Sequence, residues 1–249
     1  MTGTVLSETL DGGVVRLTLN RPARLNAITP ELLEDLIAAA DAANAAEGTR
    51  CILLTGAGRA FCSGDDLKEF ESQAAGEAAT HAYVERIQDV TRALMHGRCP
   101  VVAAVRGWAV GGGLEWMINA DFAVVSETAR FFFSEVSWGL FVTGGVTALL
   151  PRLIGLQRTR ALIMLGEKFG AEEAVAWGLA YRRVADGDLE AESLALARRI
   201  AGLPPGPVAA LRRALADRAG LESAMAAETA ATVEGFLDPE TARRIAGFS

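Results

Sequence analysis

The sequence contains few of the residues on which nucleophile triads and metal sites depend. Only two histidines occur in 249 residues, and both His81 and His96 fall in one predicted helix over residues 79–96. No G-x-S-x-G turn is present, so a Ser–His–Asp triad is disfavoured. Histidine, cysteine and aspartate residues nowhere show the spacing typical of a metal site, and we therefore expect no bound metal.

Cysteine is also scarce, and its distribution disfavours a secreted, disulfide-linked protein. Cys51, Cys62 and Cys99 are odd in number, lie in apolar segments and form no C-x-x-C pair. Such cysteines are typical of buried, reduced thiols in a cytosolic protein. A strand pattern begins at residue 14, so no signal peptide is expected, and we predict a cytoplasmic location.

Long apolar runs and an excess of basic residues are absent as well. Gly, Arg or acidic residues break every apolar run well short of the roughly 20 residues needed for a membrane span, so none is predicted. A net charge of −7 and a pI near 5.0 argue against a nucleic-acid surface. With 51% hydrophobic residues, the chain has enough apolar material for one large domain with a substantial core.

Buried strand patterns alternate with helical patterns in the first half of the chain, which predicts an α/β fold. The predicted strands cover residues 14–19, 51–55, 101–105 and 122–125. Predicted helices follow a Thr29-Pro30 cap through residue 40 and cover 79–96 and about 112–119.

From Asp188 onward the chain is rich in alanine and has a helical pattern. The predicted helices cover residues 188–202, 205–219 and 221–235, and Asp238-Pro239 is a favourable start for a last helix. We therefore divide the chain into a core of residues 1–190 and a helical segment of residues 191–249.

A run of three glycines, in the stretch VGGGLEW at residues 110–116, precedes the helix over 112–119. One interpretation is a tight turn that only glycine tolerates. The other is a helix N-terminus whose free N–H groups receive a ligand oxygen. A dinucleotide-binding G-x-G-x-x-G motif is excluded because Trp116 occupies its last position, and no phosphate-binding G-x-x-x-x-G-K-[ST] loop exists.

Carboxylate chemistry is the remaining interpretation of this region. Glu115 lies near the start of the glycine-led helix, and Glu135 follows 20 residues later in a second apolar stretch. Each alone is typical of a buried, hydrogen-bonded glutamate, whereas the two together suit a general acid/base pair. The loop over residues 56–68 contains small residues that permit exposed N–H groups, although Asp65-Asp66 is equally compatible with a helix cap.

Taken in order, several stretches of the sequence resemble the crotonase superfamily, also called the enoyl-CoA hydratase/isomerase family. The matching segments are residues 20–27, 58–67, 106–115, 129–135, 144–145 and 171–179. The resemblance covers residues 12–190 and implies a spiral of strand–strand–helix units with a helical C-terminal trimerisation region. It also implies an acyl-CoA thioester substrate, no separate cofactor because coenzyme A is part of the substrate, and a homotrimer or dimer of trimers.

The resemblance further assigns roles to the residues singled out above. Backbone N–H groups of Gly112 and Asp65 would form the oxyanion hole for an enolate. Glu135 would transfer the proton at Cα, and Glu115 would hold and activate the water that an enoyl-CoA hydratase adds. Positional isomerases of the family often keep only the Glu135 equivalent. The presence of Glu115 therefore favours hydration. The alternatives are an isomerase, another acyl-CoA lyase and a non-catalytic acyl-CoA-binding or RNA-binding module.

Contacts to coenzyme A and the acyl group are implied by the same resemblance. Arg24 and Lys68 are the phosphate contacts that it implies, although a solvated surface role fits both side chains equally well. The full set of expected substrate contacts is Arg24, Leu25, Ala27, Ala60, Ser63, Asp66, Leu67, Lys68, Gly111 and Thr143.

Two positions depart from the pattern of the family's hydratases. Asp65 stands where these enzymes have a small or apolar residue, and its charge would oppose an enolate unless the side chain points away. Val142 and Thr143 replace the Pro-Gly that usually precedes the Gly144-Gly145 pair. We therefore expect Thr143 to touch the substrate.

Overall fold

Nine strands and twelve α-helices lie within residues 3–216 and 218–247, which the computed structural model describes. The strands are β1 (Val5–Leu10), β2 (Val14–Leu19), β3 (Cys51–Gly56), β4 (Val101–Val105), β5 (Trp108–Val110), β6 (Phe122–Ser126), β7 (Arg130–Phe132), β8 (Phe169–Gly170) and β9 (Arg182–Val184). The helices are α1 (Pro30–Ala45), α2 (Phe70–Gln73), α3 (Glu77–His96), α4 (Gly112–Asn119), α5 (Glu135–Trp138), α6 (Val146–Ile154), α7 (Leu156–Leu165), α8 (Ala171–Ala176), α9 (Leu189–Ala201), α10 (Pro205–Leu215), α11 (Arg218–Leu237) and α12 (Pro239–Ala246). The predicted α/β class is confirmed.

The larger sheet has the strand order β1-β2-β3-β4-β6-β9. β1 and β2 form an antiparallel hairpin, and each later neighbour pair is parallel. Its central strand β4 is buried along its whole length, because parallel strands are covered on both faces. The four strands predicted from the sequence are all present, and β3 and β6 each extend one residue further than expected.

Alternation along the strands sends apolar side chains into two cores. Residues such as Leu17, Leu54 and Ala103 join the larger core with α1 and α3. Their neighbours on the opposite face, such as Leu53 and Val102, form a second core with α9. The sheet therefore lies between helices of both halves of the chain.

Helix boundaries follow the predicted caps in two cases. The Thr29 hydroxyl accepts a hydrogen bond from the Leu32 N–H at 3.3 Å, and Asp238 accepts from the Glu240 N–H at 3.0 Å.

The predicted helix over 205–219 is too long, since α10 ends at Leu215. The next helix is predicted over 221–235, whereas α11 begins earlier, at Arg218, and ends at Leu237. None of the helices in the described residues has the length and apolar character that a membrane span requires.

A second, smaller sheet of order β5-β7-β8 positions the two glutamates. β5 and β7 are parallel, with Val110 opposite Phe132, so the residues that follow each strand lie side by side. The Gly111 N–H donates to the Phe132 carbonyl at 3.1 Å. As a result, α4 with Glu115 and α5 with Glu135 begin at the same edge of this sheet.

Candidate active site

The glycine run makes a sharp turn between β5 and α4. Gly111 has φ 50° and ψ −123°, a conformation that side-chain-bearing residues rarely adopt. A Cβ atom at Gly111 would also overlap Oε1 of Glu135. Both interpretations of the run from the sequence therefore describe the same feature, since the turn requires glycine and leaves room for a carboxyl group.

Two main-chain N–H groups near this turn have no hydrogen-bond acceptor in the described part of the chain. Gly112 is the first residue of α4, so its N–H precedes the helical ladder. Asp65 lies opposite Ile28 in a parallel bridge, in which Ile28 donates to the Gly64 carbonyl and Asp66 donates to the Ile28 carbonyl. This pattern leaves out the Asp65 N–H. Asp65 and Gly112 line the same pocket.

Glu115 is buried, with 1% of its surface exposed, and is held by a single residue. The Thr143 N–H donates to its Oε1 at 2.8 Å, and the Thr143 hydroxyl donates to its Oε2 at 2.6 Å. Burial raises the pKa of Glu115 well above its ordinary value, and the charge of Glu135 raises it further. The two bonds from Thr143 act in the opposite direction because they favour the carboxylate.

Glu135 is the first residue of α5 and is 8% exposed. Its Oε2 atom is buried and has no hydrogen-bond partner among the described residues. Burial raises its pKa, the N–H groups of Glu135 and Ser134 offset part of that rise, and the neighbouring Asp65 charge adds to it. Glu115 and Glu135 therefore both bind a proton more tightly than an exposed glutamate.

A narrow pocket joins these groups and offers space for about one water molecule. Its lining consists of Ile28, Asp65, Ile87, Gly112, Glu135, Leu140, Phe141, Thr143, Thr232 and Phe236. Glu115 is not among them and contacts the pocket through Thr143. The walls are largely apolar, so charges inside the pocket act in a low-dielectric environment.

The expected coenzyme A contacts lie together in two loops that precede the pocket. Ser63 N–H donates to the Leu25 carbonyl at 3.1 Å, which joins the loop over 21–28 to the loop over 56–68. Arg24 pairs with the buried Asp66 at 3.0 Å, whereas the Lys68 side chain is exposed. Among the expected contacts, only Thr143 lines the pocket itself. Of the remaining expected contacts, Leu25 and Ala27 lie in the first loop, Ala60 and Leu67 lie in the second, and Gly111 forms the glycine turn.

Three residues that sequence reasoning did not single out support the site. Asn26 is fully buried, has φ 55°, and its amide donates to the carbonyls of Ala57, Ala60 and Phe61. Tyr83 donates to Asp65, and Glu228 binds the turn that follows Thr143. The available signal was a polar residue on an otherwise apolar helical face, which applies to Tyr83 and Glu228.

Comparison with known proteins places this arrangement in a family. The model of the enoyl-CoA hydratase/isomerase family matches residues 9–243. The chain is 37% identical to the mevalonyl-coenzyme A hydratase of Beauveria bassiana, over 81% of this chain and 75% of that protein. It is 35% identical to the 1,2-epoxyphenylacetyl-CoA isomerase of Escherichia coli, over 83% and 79% of the two chains.

The fold matches the crystal structure of an enoyl-CoA hydratase/isomerase from Xanthobacter autotrophicus Py2. The TM-score is 0.88 at 36% identity, with 98% of this chain and 91% of that chain covered. The predicted crotonase-like fold is thereby confirmed, while the trimerisation role of the C-terminal helices stays a prediction. The chain belongs to the enoyl-CoA hydratase/isomerase family, which is the crotonase superfamily.

Proposed function

We propose that this protein is an enoyl-CoA hydratase, which adds water across the α,β double bond of an acyl-CoA thioester. The observation that carries the proposal is the buried pair Glu115 and Glu135 beside two N–H groups that lack partners in the described residues. Two carboxyl groups with raised pKa values are suited to donating one proton and accepting another in one turnover.

In this mechanism the thioester oxygen accepts hydrogen bonds from the N–H groups of Asp65 and Gly112. These donors stabilise the enolate, and one such donor contributes about 10²–10³-fold to the rate in comparable enzymes. Glu115, oriented by Thr143, accepts a proton from the attacking water. Glu135 has a free carboxyl oxygen at the pocket wall and delivers the proton to Cα.

Coenzyme A binds, in this proposal, across the paired loops 21–28 and 56–68. Lys68 is exposed and contacts a phosphate, and Arg24 contributes from its 42% exposed side chain while it pairs with Asp66. The backbone from Ala60 to Leu67 flanks the adenine and pantetheine. These assignments provide local positive charge on a chain whose net charge is −7.

The test is a turnover screen of the purified protein against a panel of enoyl-CoA thioesters, with products identified by mass. Hydration of crotonyl-CoA is followed by the loss of conjugated-thioester absorbance. We expect Glu115→Gln and Glu135→Gln each to lower kcat by at least about 10²-fold, since each removes an acid/base group. Both variants should still bind acyl-CoA, and a wild-type protein that hydrates no enoyl-CoA would refute the proposal.

A positional enoyl-CoA isomerase is the second candidate, and one observation favours it. Glu135 lines the pocket, whereas both oxygens of Glu115 are bound by Thr143 and Glu115 is set back from the pocket. A single carboxyl group is sufficient to move a proton between two carbons. Turnover that survives in Glu115→Gln, with a shifted double bond as the product, would assign the protein to this class.

A further inference from the structure

Asp65 is a partly buried residue that lines the pocket and carries a carboxyl group there. Its N–H is one of the two proposed oxyanion donors, and the residue lines the pocket together with Gly112 and Glu135. The Tyr83 hydroxyl donates to Asp65 Oδ1 at 2.8 Å. The residue that is proposed to bind the thioester oxygen through its N–H therefore also carries a carboxyl group.

A line of buried polar groups supports this carboxyl group. Gln73, which is 3% exposed, donates through Nε2 to the Tyr83 hydroxyl oxygen at 3.1 Å. Tyr83 is 7% exposed, and its ring packs at 80° to the Phe236 ring, with centroids 5.9 Å apart. These contacts fix the orientation of Asp65, as expected for a group that recognises a ligand.

The second carboxyl oxygen, Oδ2 of Asp65, has no hydrogen bond to any described residue. The hydroxyl groups in the pocket already donate elsewhere: that of Thr143 to Glu115, and that of Thr232 to the Phe141 carbonyl. A purely apolar acyl group would therefore remove water from Oδ2 and supply no donor in its place. An acceptor that loses its water without gaining a donor is unfavourable for binding.

We propose that Asp65 determines specificity by accepting a hydrogen bond from a hydroxyl group on the acyl chain, so that hydroxylated enoyl-CoA thioesters are preferred. The inference rests on the proposed function and names its substrate class. The hydroxyl lies on a carbon near the thioester, because the same residue supplies the N–H for the thioester oxygen. A hydroxyl fits better than an ammonium group, which has three donors to satisfy within mostly apolar walls.

The charge of Asp65 supports this assignment. Burial raises its pKa to about 6, and the Tyr83 bond offsets part of that rise, so the carboxylate is the main form at neutral pH. A carboxylate accepts hydrogen bonds and repels the negative charge that develops on the enolate. A substrate hydroxyl that binds Oδ2 withdraws part of this charge, so its benefit grows in the transition state and raises kcat/KM.

The experiment compares 4-hydroxybut-2-enoyl-CoA with crotonyl-CoA, which share one carbon skeleton. We expect the wild-type protein to prefer the hydroxylated substrate by about 10- to 100-fold in kcat/KM. The ratio of the two kcat/KM values is the readout, since any disturbance of the oxyanion hole affects both substrates alike. Asp65→Ala, which keeps the main-chain N–H, should reduce the ratio to near one.

Two further variants distinguish the loss of the proposed hydrogen bond between Asp65 and the substrate hydroxyl group from a general change in pocket shape. Tyr83→Phe removes the donor that orients Asp65 and should lower the ratio in part. Thr232→Val removes a pocket hydroxyl that donates to the main chain and should leave the ratio unchanged. A wild-type ratio near one, or a preference that survives in Asp65→Ala, would overturn the proposal.

Failure of the proposed function gives a different result from failure of this inference. If neither substrate is hydrated, the hydratase assignment is wrong, and binding of the saturated pair 4-hydroxybutyryl-CoA and butyryl-CoA tests Asp65 alone. Calorimetry should then show tighter binding of the hydroxylated thioester by the wild-type protein, and Asp65→Ala should abolish the difference. Equal binding of the two thioesters by the wild-type protein would refute the role of Asp65.

Discussion

Glu115 and Glu135 titrate as a pair, because each is buried and the charge of Glu135 raises the pKa of Glu115. Hydration needs one carboxyl group protonated and the other ionised. The reverse reaction needs the same single proton on the other member. The form proposed to be active is therefore the singly protonated pair in both directions.

This sharing predicts the pH dependence of the proposed reaction. Burial raises the pKa of both carboxyl groups, and the charge of Glu135 raises that of Glu115 further, so the last proton leaves the pair at alkaline pH and kcat/KM falls there. Hydration consumes no net proton, so hydration and dehydration must show the same alkaline limb. Steady-state hydration rates between about pH 6 and 10 test this alkaline fall, and a kcat/KM that does not fall up to pH 10 would contradict the raised pKa values.

Thr143 offers a test of how Glu115 is oriented. Thr143→Val keeps the shape and the N–H bond but removes the hydroxyl that donates to Oε2 at 2.6 Å. We expect kcat for crotonyl-CoA to fall by about 10- to 100-fold, the usual effect of a lost hydrogen bond to a charged group. The pKa of Glu115 should rise, because that bond favours the carboxylate, so the alkaline limb should move to higher pH.

Thr143→Ser is the matched control, since it keeps the hydroxyl and should retain most of the wild-type rate. Loss of activity in both variants would indicate that the methyl group matters through packing. An unchanged alkaline limb in Thr143→Val would contradict the proposed contribution of the hydroxyl.

At the scale of elements, the sequence predicts the longer helices and strands, because their apolar residues recur at a regular spacing. Helix α4 begins and ends as expected, and Thr29 and Asp238 cap their helices. The position of Glu115 in the first turn of a helix therefore follows from the sequence alone.

The short elements could not be predicted, and they bring the glutamates together. β5 and β7 have three residues each, and α5 has four, so they are too short for a periodic signal. Their formation depends on the pairing of Val110 with Phe132, which is a tertiary contact. For the same reason, the sequence indicates Thr143 as an unusual residue but cannot show that it binds Glu115.

Helix α11 supports the active-site turn through Glu228. This carboxylate is 1% exposed and accepts from the Gly145 N–H at 2.8 Å and the Thr147 N–H at 2.9 Å. The Thr147 hydroxyl donates to it at 2.7 Å, and the charge lies at the N-terminus of α6. Gln88 links the same group to the Gly144 N–H. Glu228 therefore fixes the turn that Thr143 enters.

We expect Glu228→Gln to lower the free energy of unfolding by roughly 1–3 kcal/mol, because an amide NH₂ would face N–H donors. Chemical denaturation followed by circular dichroism measures this change. Glu234→Gln, on the exposed side of the same helix, is the matched control and should change stability by less than about 0.5 kcal/mol. Equal stability of the two variants would mean that the network around Glu228 is not stabilising.

At the scale of the whole molecule, the pocket is built from distant parts of the chain. Asp65 and Glu135 come from the first half and middle, whereas Thr232 and Phe236 come from α11. Helix α9 covers the second face of the large sheet. The division of the chain at residue 190 stays a prediction. The pocket is lined by residues that precede this position, such as Glu135, and by residues that follow it, such as Thr232.

Several large apolar side chains are exposed to solvent on the surface of the single chain. Leu211 and Leu215 on α10 are 60% and 77% exposed, and Met164 and Leu165 on α7 are 64% and 73% exposed. Helix α10 has no buried residue, although its sequence is amphipathic. Because a short helix is stabilised mainly by burial of its apolar face, α10 requires a further surface against which to pack.

We expect that surface to be a second copy of the chain, in a homotrimer or a dimer of trimers. Light scattering after size-exclusion chromatography should give three or six times the 26.2 kDa mass of one chain. The double variant Leu211→Glu/Leu215→Glu places charge in the contact and should shift the mass toward that of the monomer. Leu211→Met/Leu215→Met keeps the apolar character and should assemble normally. A wild-type monomer, or an assembly unaffected by the two glutamates, would show that α10 is not the contact between copies.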